Sequence, residues 1–503
     1  MLAWTIYISF LGAALEMVLP GKAVRASRAL ALMTAAGGLA ATLAGWAQHP
    51  GGELATIVRI PWIPSLGIEY HLAADGISIV LLLLTGLVAI AGVLFSWNIE
   101  RRTKEFFAFY LALIGGVYGV FLSFDVFLLF VFYEIAIIPK YFLIATWGST
   151  RREYGAMKLA IYSFAGSAMV LIGIIAAYVL AGTKTTDLLQ LSRFPFPIHF
   201  QMWAFPLVFV GFAILAGMWP FHTWAPTGHV AAPTGASMLL AGVVMKLGAY
   251  GCLRVAMTLF PLGLAPWGSG FLGLHSWRGV FALLALVGIV YGAMVALVQN
   301  DFKFVIGYSS VSHMGFVLLG LMTLSQVGLD GAVLQMFSHG VIAGLLFAVV
   351  GRMVYDRTHT RELDELGPME LSKAIPFAAV VFVLAGMASI GLPGFSGFVA
   401  ELQVLMGAWR AFPLAALVAG VGIIIGIAYT WRAMQKAFFA DHRETAAVDH
   451  SPLPPITWAE HAGAAVLLVA TAGVGLFPQI LLNLIIPALS SPLFDGLRRG
   501  SWQ

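Results

Sequence analysis

The sequence contains little charge and almost no cysteine. Charged residues make up 10% of its 503 residues, against about 25% in a typical soluble domain. This composition excludes an ordinary soluble globular protein. The single cysteine, Cys252, excludes an internal disulfide, a zinc finger and an iron–sulfur cluster held by this chain's own thiolates. The net charge of +4 lies mostly on connecting loops, so we expect no nucleic-acid partner.

Long apolar runs occupy the rest of the chain. Hydrophobic residues make up 60% of the sequence and the mean hydropathy is +0.92. Runs of about 20 residues recur, each long enough to cross the roughly 30 Å hydrocarbon core of a bilayer. They predict an all-α polytopic membrane protein with about fourteen transmembrane helices and no strands. The N-terminal segment is expected to form the first helix rather than a cleaved signal. We place the helix centres near residues 11, 38, 86, 114, 135, 168, 212, 246, 289, 313, 341, 390, 424 and 475.

The basic residues predict the orientation of these helices. Of the 27 lysines and arginines, 17 fall on one face of the predicted membrane, 8 fall on the other, and Lys140 and Lys246 lie inside it. Since cytoplasmic loops are rich in lysine and arginine, both termini are predicted on the outer, periplasmic side of a bacterial cytoplasmic membrane. No loop is long enough for a catalytic domain, so we expect function within the bilayer or at a partner's surface.

Two predicted helices carry proline and glycine near their middle. The seventh contains GMWPFH (217–222) and the twelfth contains SIGLPGFSGF (389–398). Each helix is expected to open there for a few residues. The breaks fall in the fourth helix of two sets of five, helices 4–8 and 9–13, which is typical of inverted-repeat transport folds. Two unrelated proline kinks are the alternative. The predicted division is N-terminal helices 1–3 over 1–105, a first repeat over 106–258, a second repeat over 279–440, and the last helix with its tail over 441–503.

Six ionisable residues are predicted to lie inside the membrane: Glu134, Lys140, Lys246, His313, His339 and Glu401. Glu134 would lie about 13 Å deep, and Lys140 would point about 120° away from it on an ideal helix, so a direct pair is not expected. A lysine that snorkels to the interface is the alternative for Lys140, and neutral packing is the alternative for His313 and His339. Spread over several helices at similar depth, groups of these types are typical of a proton relay.

Metal and cofactor sites are the competing interpretation of the histidines. The sequence lacks a pair such as H-x-x-x-H on one helix, so we expect no metal site. A haem held between two facing histidines stays an alternative. The chain carries no ligand set for flavin, nicotinamide or an iron–sulfur centre, so we expect no cofactor and no redox chemistry in the chain itself.

Five motifs occur in order between about residues 75 and 440. They are HTWAPTGHVAAPTGASMLLAGVVMKLGAYGCLR (222–254), QNDFKFVIGYSSVSHMGFVLLGL (299–321), QMFSHG (335–340), YDRTHTREL (355–363) and LPGFSGFVAE (392–401). Together they resemble the antiporter-like proton-pumping subunits of respiratory complex I, the NADH:quinone oxidoreductase. The H-T-R element favours the chain M (subunit 4) type.

The resemblance implies the same helix number, inverted repeats and broken helices. It implies that redox energy released in a peripheral arm drives protons through this subunit. It maps Glu134, Lys246 and Glu401 onto the family's helix 5 glutamate, helix 8 lysine and helix 12 glutamate, and His313 and His339 onto its paired histidines. Flavin mononucleotide, iron–sulfur clusters and quinone are expected in partner subunits. Because no long extension follows the last helix, antiporter-like neighbours are expected on both sides.

One position departs from the family pattern. The family's helix 7 lysine aligns with Leu215, whereas Lys140 stands where chain M usually has an apolar residue. Our hypothesis is that the lysine has moved to helix 5 and still supplies a movable positive charge near Glu134. Two other functions stay open: a subunit of a multi-subunit cation/proton antiporter or related ion and bicarbonate uptake system, and a pump-derived scaffold.

Overall fold

The computed structural model describes residues 1–267, 275–440 and 453–499. The main helices follow one another as α1 (Trp4–Val18), α2 (Val24–Gln48), α3 (Gly76–Phe95), α4 (Thr103–Leu122), α5 (Val126–Trp147), α6 (Arg152–Ala181), α7 (Ile198–Ala216 and Trp224–Ala231), α8 (Thr234–Leu259), α9 (Trp277–Val298), α10 (Phe302–Thr323), α11 (Gln326–Thr358), α12 (Pro376–Ser389 and Ser396–Ala411), α13 (Pro413–Phe438) and α14 (Trp458–Leu476). Within the described ranges, twelve are long and apolar enough to cross a membrane. The other two are α1, which is shorter, and α12, which consists of two short halves.

These helices confirm the predicted polytopic all-α class. The predicted centre of the last helix, residue 475, falls close to the end of α14, because Pro478 separates it from a further helix, Gln479–Leu489. A short helix, Asp495–Arg499, completes the described C-terminal part. Residues 441–452 and 500–503 of the predicted segment 441–503 lie outside the described residues. Short helices also connect α6 to α7 (Leu188–Leu191) and α11 to α12 (Leu363–Leu366 and Leu371–Ala374).

Polar side chains begin several of the helices. The first backbone N–H groups of a helix have no partner inside it, and a short acceptor just before the helix satisfies them. Such a side chain accepts a hydrogen bond from the first turn of α3, α5, α9, α10 and α11, and these acceptors are Asp75, Asp125, Ser276, Asp301 and Ser325. The helix starts are therefore encoded locally, between the apolar runs.

Both predicted helix breaks are present. The first half of α7 ends at Ala216 and is followed by Gly217, with φ of +81°, and the second half starts at Trp224. The first half of α12 is followed by Gly391, with φ of +72°, and the second half starts at Ser396. Left-handed backbone of this kind costs glycine little and other residues more. In membrane proteins, main-chain groups freed by such breaks must find partners within the protein or in water.

A β-hairpin joins α2 to α3, which makes the expectation of no strands wrong at this loop. Strands β1 (Ala55–Ile63) and β2 (Ile68–Ala74) pair antiparallel, with Arg59 opposite His71. Their sequences, ATIVRIPWI and IEYHLAA, contain β-branched and aromatic residues suited to a half-buried sheet. The runs are too short for a membrane helix, so a search for long apolar segments does not detect them.

The hairpin is fixed to the start of α5. Asp125, which caps α5, accepts hydrogen bonds from the backbone N–H of Glu69 (3.1 Å) and the hydroxyl of Thr186 (2.5 Å). The buried pair His71 and Asp187 lies beside it, with 2.7 Å between Nδ1 and Oδ2. Burial favours a raised pKa for Asp187, but hydrogen bonds from His71 and from a backbone N–H, with nearby positive charge, outweigh it and lower the pKa. The Asp187 carboxylate therefore stabilises the attachment when it is ionised.

Candidate functional site

Lys246 lies in α8 between two π-helical segments, Leu240–Val244 and Cys252–Ala256. Such segments are frequent at functional sites. Its side chain is fully buried, and Nζ lies 2.8 Å from Nδ1 of His339 in α11. Nζ also donates to the carbonyl of Ala241. Which of the two atoms donates in the contact with His339 depends on the tautomer of its ring. The structure therefore brings two of the six predicted residues into direct contact.

His313 of α10 joins the two halves of α12. Its Nδ1 lies 3.0 Å from Oε1 of Glu401 in the second half, and its Nε2 lies 3.2 Å from the hydroxyl of Ser389 at the end of the first half. Gln335 of α11 donates to the same Glu401 oxygen at 3.2 Å and lies 3.4 Å from Nδ1 of His313. The break in α12 thus places a hydroxyl and a carboxylate on opposite sides of one imidazole. The roles of His313 and Glu401 stay predictions.

The two histidines lie next to each other at the centre of the arrangement. The rings of His313 and His339 are stacked, with 5.5 Å between centroids and 29° between planes. A cavity of about 10 Å³ adjoins both rings and is also lined by Gln335, Ser338 and Glu401. Lys246, His339, His313 and Glu401 consequently form one buried series across α8, α10, α11 and α12.

Helix α5 carries the other two predicted residues. Lys140 is buried, at 1% exposure, and its Nζ donates to the hydroxyl of Ser163 in α6 at 3.2 Å. The snorkelling alternative does not fit this position. Glu134 is half-buried, and its Oε1 has no hydrogen-bond partner among the described residues. The two charges lie close enough to interact electrostatically, and they form no direct ion pair in the described chain, as the 120° offset predicts.

Leu215 is the residue that the resemblance aligns with a lysine of helix 7. Its side chain is buried, at 1% exposure, at the end of the first half of α7. The helix end packs directly on α8: a Cβ added at Gly248 would clash with the backbone nitrogen of Ala216. Gly248 stands two residues after Lys246, about 200° round the helix. One face of α8 therefore packs on α7, and the opposite face directs Lys246 to His339 of α11.

The sequence interpretation missed several polar residues of the site. His229, in the second half of α7, is fully buried, and neither ring nitrogen has a partner among the described residues. It lies within electrostatic reach of Lys246. Gln335, Ser389 and Ser163 were not selected, because uncharged side chains give no signal in a search for buried charge. His229 stood inside the quoted motif 222–254, and its place after the helix break was the available signal.

A second cluster lies outside the membrane, at the hairpin. Glu69, His71 and Asp187 place possible ligand atoms within 4.8 Å of one another, which a divalent ion could accept. However, the guanidinium of Arg59 lies 2.7 Å from Glu69 and 3.5 Å from Asp187. Since a cation already neutralises the carboxylates, we assign this cluster to attachment of the hairpin.

Comparison with known proteins identifies the family. The sequence profile described as NADH:quinone oxidoreductase/Mrp antiporter, transmembrane, matches residues 123–426. This chain belongs to that family. NADH-quinone oxidoreductase subunit M of Rhodobacter capsulatus is 37% identical over 442 residues, covering 85% of this chain and 82% of that protein. A chain of respiratory complex I from Thermus thermophilus superposes with a TM-score of 0.87 at 28% identity, covering 99% of this chain and 100% of that one.

The same fold extends to a second kind of complex. A chain of the Mrp complex from Dietzia sp. DQ12-45-1b gives a TM-score of 0.85, covering 99% of this chain and 98% of that one, at 21% identity. At that identity the likeness concerns the fold alone. Membership of the NADH:quinone oxidoreductase/Mrp antiporter family confirms the predicted resemblance and the architecture with paired broken helices. The roles of the six ionisable residues stay predictions that depend on the geometry above.

Proposed function

We propose that this chain is a proton-translocating membrane-arm subunit of an NADH:quinone oxidoreductase. The observation that carries the proposal is the buried series Lys246, His339, His313 and Glu401, which crosses four helices with contacts of 2.8 Å at one end and 3.0 Å at the other. A charged side chain at the bilayer centre costs about 2.5–3.5 kcal/mol. A lysine and a glutamate at either end of two histidines therefore indicate proton transfer rather than packing.

The geometry supports transfer without large movement. At 2.8 Å, a proton passes between Nζ of Lys246 and Nδ1 of His339 along an existing hydrogen bond. His313 and Glu401 stand in the same relation at 3.0 Å. General acid–base groups need this heavy-atom distance, about 2.6–3.2 Å. In the proposed mechanism, a proton that reaches Lys246 moves through the histidines to Glu401.

The residues proposed to respond to the neighbouring subunit lie around α5. Lys140 and Glu134 interact at longer range, and we propose that Lys140 supplies the positive charge that Leu215 does not. A change at the neighbouring subunit would shift the Glu134–Lys140 interaction and so alter the field at Lys246. His229, in the second half of α7, would belong to the same network, because it interacts electrostatically with Lys246 and His339.

The rest of the complex is proposed to supply the redox chemistry. This chain would hold no redox centre, and flavin mononucleotide, iron–sulfur clusters and quinone would be bound by partner subunits. Antiporter-like subunits would adjoin it on both sides in a bacterial cytoplasmic membrane. The distribution of basic residues supports both termini on the periplasmic side.

The test is NADH-driven proton uptake by inside-out vesicles that hold the whole complex. Lys246→Met and Glu401→Gln should each lower proton uptake, while NADH oxidation by a soluble acceptor stays unchanged. Lys22→Met, an exposed lysine outside the membrane helices, is the matched control and should pump normally. Normal pumping by both relay variants would overturn the proposal. Sodium/proton exchange without NADH would instead favour the antiporter alternative.

A further inference from the structure

A second cavity, separate from the relay, lies at the end of the bundle that the basic residues predict to be cytoplasmic. Its volume is about 190 Å³, whereas one buried water needs about 10–15 Å³, so the cavity has room for a small polyatomic ion. Its lining comes from the ends of α3, α5 and α11 and the starts of α8 and α10. One lining residue, Asn98, is exposed, which places the cavity at the surface of the described chain.

Lys303, the second residue of α10, lines this cavity and is 2% exposed. Its ammonium makes one hydrogen bond within the described chain, to the carbonyl of Ala232 at 3.4 Å, which is longer than the usual 2.7–3.2 Å. An ammonium has three donors, so two of them are unused. Burying a charge without an opposite charge beside it is costly. A bound anion would therefore stabilise Lys303.

The carboxylates near Lys303 are already paired with arginines. Asp356 and Asp301 lie within electrostatic reach of Lys303. Asp356, which also lines the cavity, pairs with Arg352 at 3.0 Å, and Asp301 pairs with Arg361 at 3.1 Å. No ion pair joins Lys303 to a carboxylate among the described residues. Its positive charge is thus available to a ligand.

A buried hydroxyl and the start of α8 adjoin the same cavity. Ser96 lines it, is 2% exposed, and has no hydrogen-bond partner for its Oγ among the described residues. A Cβ added at Gly235 would clash with this Oγ, so the hydroxyl lies directly against the first turn of α8. Thr234 and Gly235 also line the cavity, and no side chain caps the helix there. The first N–H groups of a helix carry partial positive charge and bind oxyanions.

We propose that this cavity binds a phosphate group, held by the ammonium of Lys303, the hydroxyl of Ser96 and the first backbone N–H groups of α8. Charged and neutral donors of these kinds are the ones with which proteins hold phosphate oxygens. The phosphate is either a free anion from the cytoplasm or the headgroup of a phospholipid, which basic pockets at the cytoplasmic ends of membrane helices bind. The site stands apart from the proposed relay, because it contains none of the relay residues.

The test is cryo-electron microscopy of the whole complex in two preparations. One contains inorganic phosphate and no added phospholipid, and the other is free of phosphate and held in nanodiscs of phosphatidylglycerol. We expect a tetrahedral density within hydrogen-bond distance of Nζ of Lys303 and Oγ of Ser96 in at least one of them. Density with inorganic phosphate alone identifies a free anion, and density that continues into an acyl chain identifies a headgroup. An empty cavity in both preparations, or one that holds only water, would overturn the proposal.

Three substitutions assign the density to the named residues. Lys303→Met should abolish it. Ser96→Ala should weaken phosphate binding by about tenfold or more, as expected for one hydrogen bond to a charged group, and it leaves the charges of the protein unchanged. The matched control is Lys104→Met, because Lys104 is also the second residue of its helix, α4, but donates to the carbonyls of Met17 and Leu19 at 3.2 Å. This control should keep the density.

Affinity is read from the phosphate dependence of the melting temperature, or from the occupancy of the density if a phospholipid is the ligand. A Lys303→Met complex that assembles and retains the phosphate group would overturn the proposal. If Lys303→Met does not assemble, wild-type affinity in Ser96→Ala would overturn it instead. Loss of the density in Lys104→Met as well would show an effect of net charge rather than a site, and would also count against the proposal.

Discussion

Replacing Lys140 with methionine removes one positive charge from the interior of α5 and leaves the side-chain length nearly unchanged. The ammonium is buried at 1% exposure, and its one hydrogen bond in the described chain goes to Ser163. Loss of that hydrogen bond leaves no buried charge without a partner, because Ser163 is neutral. The main effect of the substitution therefore acts on Glu134, six residues earlier on the same helix.

The size of that effect follows from the helix geometry. Six residues correspond to about 9 Å along an α-helix. At an effective dielectric constant of about 20, two unit charges at that distance attract by about 1.8 kcal/mol. This free energy corresponds to about a twentyfold change in the equilibrium constant of any step that changes the charge of Glu134. An effect of that size is large enough to stop a relay that depends on switching this interaction.

The assay is the ratio of protons pumped to NADH oxidised in vesicles with the whole complex. Lys140→Met should lower the ratio, and Lys140→Met combined with Leu215→Lys should restore part of it if a lysine on α7 can serve the same purpose. The content of assembled complex is measured for each variant, so that loss of assembly is not mistaken for loss of coupling. A normal ratio for Lys140→Met would show that Lys140 is a bystander and refute the reasoning.

Three further predictions concern stability and packing. Arg254 is fully buried and pairs with both carboxylate oxygens of Asp75 at 2.6 and 2.7 Å. Arg254→Met should lower the free energy of unfolding by about 3–5 kcal/mol, and with it the melting temperature of the purified complex. Adding Asp75→Asn to Arg254→Met should recover much of this loss. The pKa of Asp187 is lowered, so its ionised carboxylate contributes its full stabilisation of the folded protein above about pH 4, and this contribution is lost as the pH falls through the pKa of the folded state. Asp187→Asn should therefore weaken the dependence of the melting temperature on acid pH. An identical pH dependence in the variant and the wild type would contradict this. Gly248→Ala should reduce assembly and pumping because the new methyl group clashes with the backbone of α7, whereas Gly473→Ala, which meets nothing within 4 Å, should be neutral.

The helices and their breaks were predictable because their signals are local. A bilayer demands long apolar runs, and the short acceptors before α5 and α10 or the glycines after the first halves of α7 and α12 act within a few residues. Lys246 and Glu401 were recognisable for the same reason, since a charge in an apolar run stands out. The hairpin was not, because its alternation is weak and its length is below that of a membrane span.

Contacts between residues far apart in the chain could not be predicted from the sequence. The hydrogen bond between Lys246 and His339 joins residues 93 positions apart, and only the packing of α8 against α11 determines it. Gln335 stands one helical turn before His339 and so faces the same side of α11, yet an amide carries no charge to attract notice. The partner of Lys140 was also unpredictable, because Ser163 is one of many hydroxyls in α6.

The attachment of the hairpin to Asp125 has a mechanical consequence for α5. One end of the helix is tied through Asp125 to Glu69 and Thr186, while Pro139 removes a main-chain hydrogen bond further along. Glu134 lies on the tied side of that proline and Lys140 on the other. We expect any bending of α5 to concentrate at Pro139, which would leave the Glu134 carboxylate in place and change the position of the Lys140 ammonium relative to it.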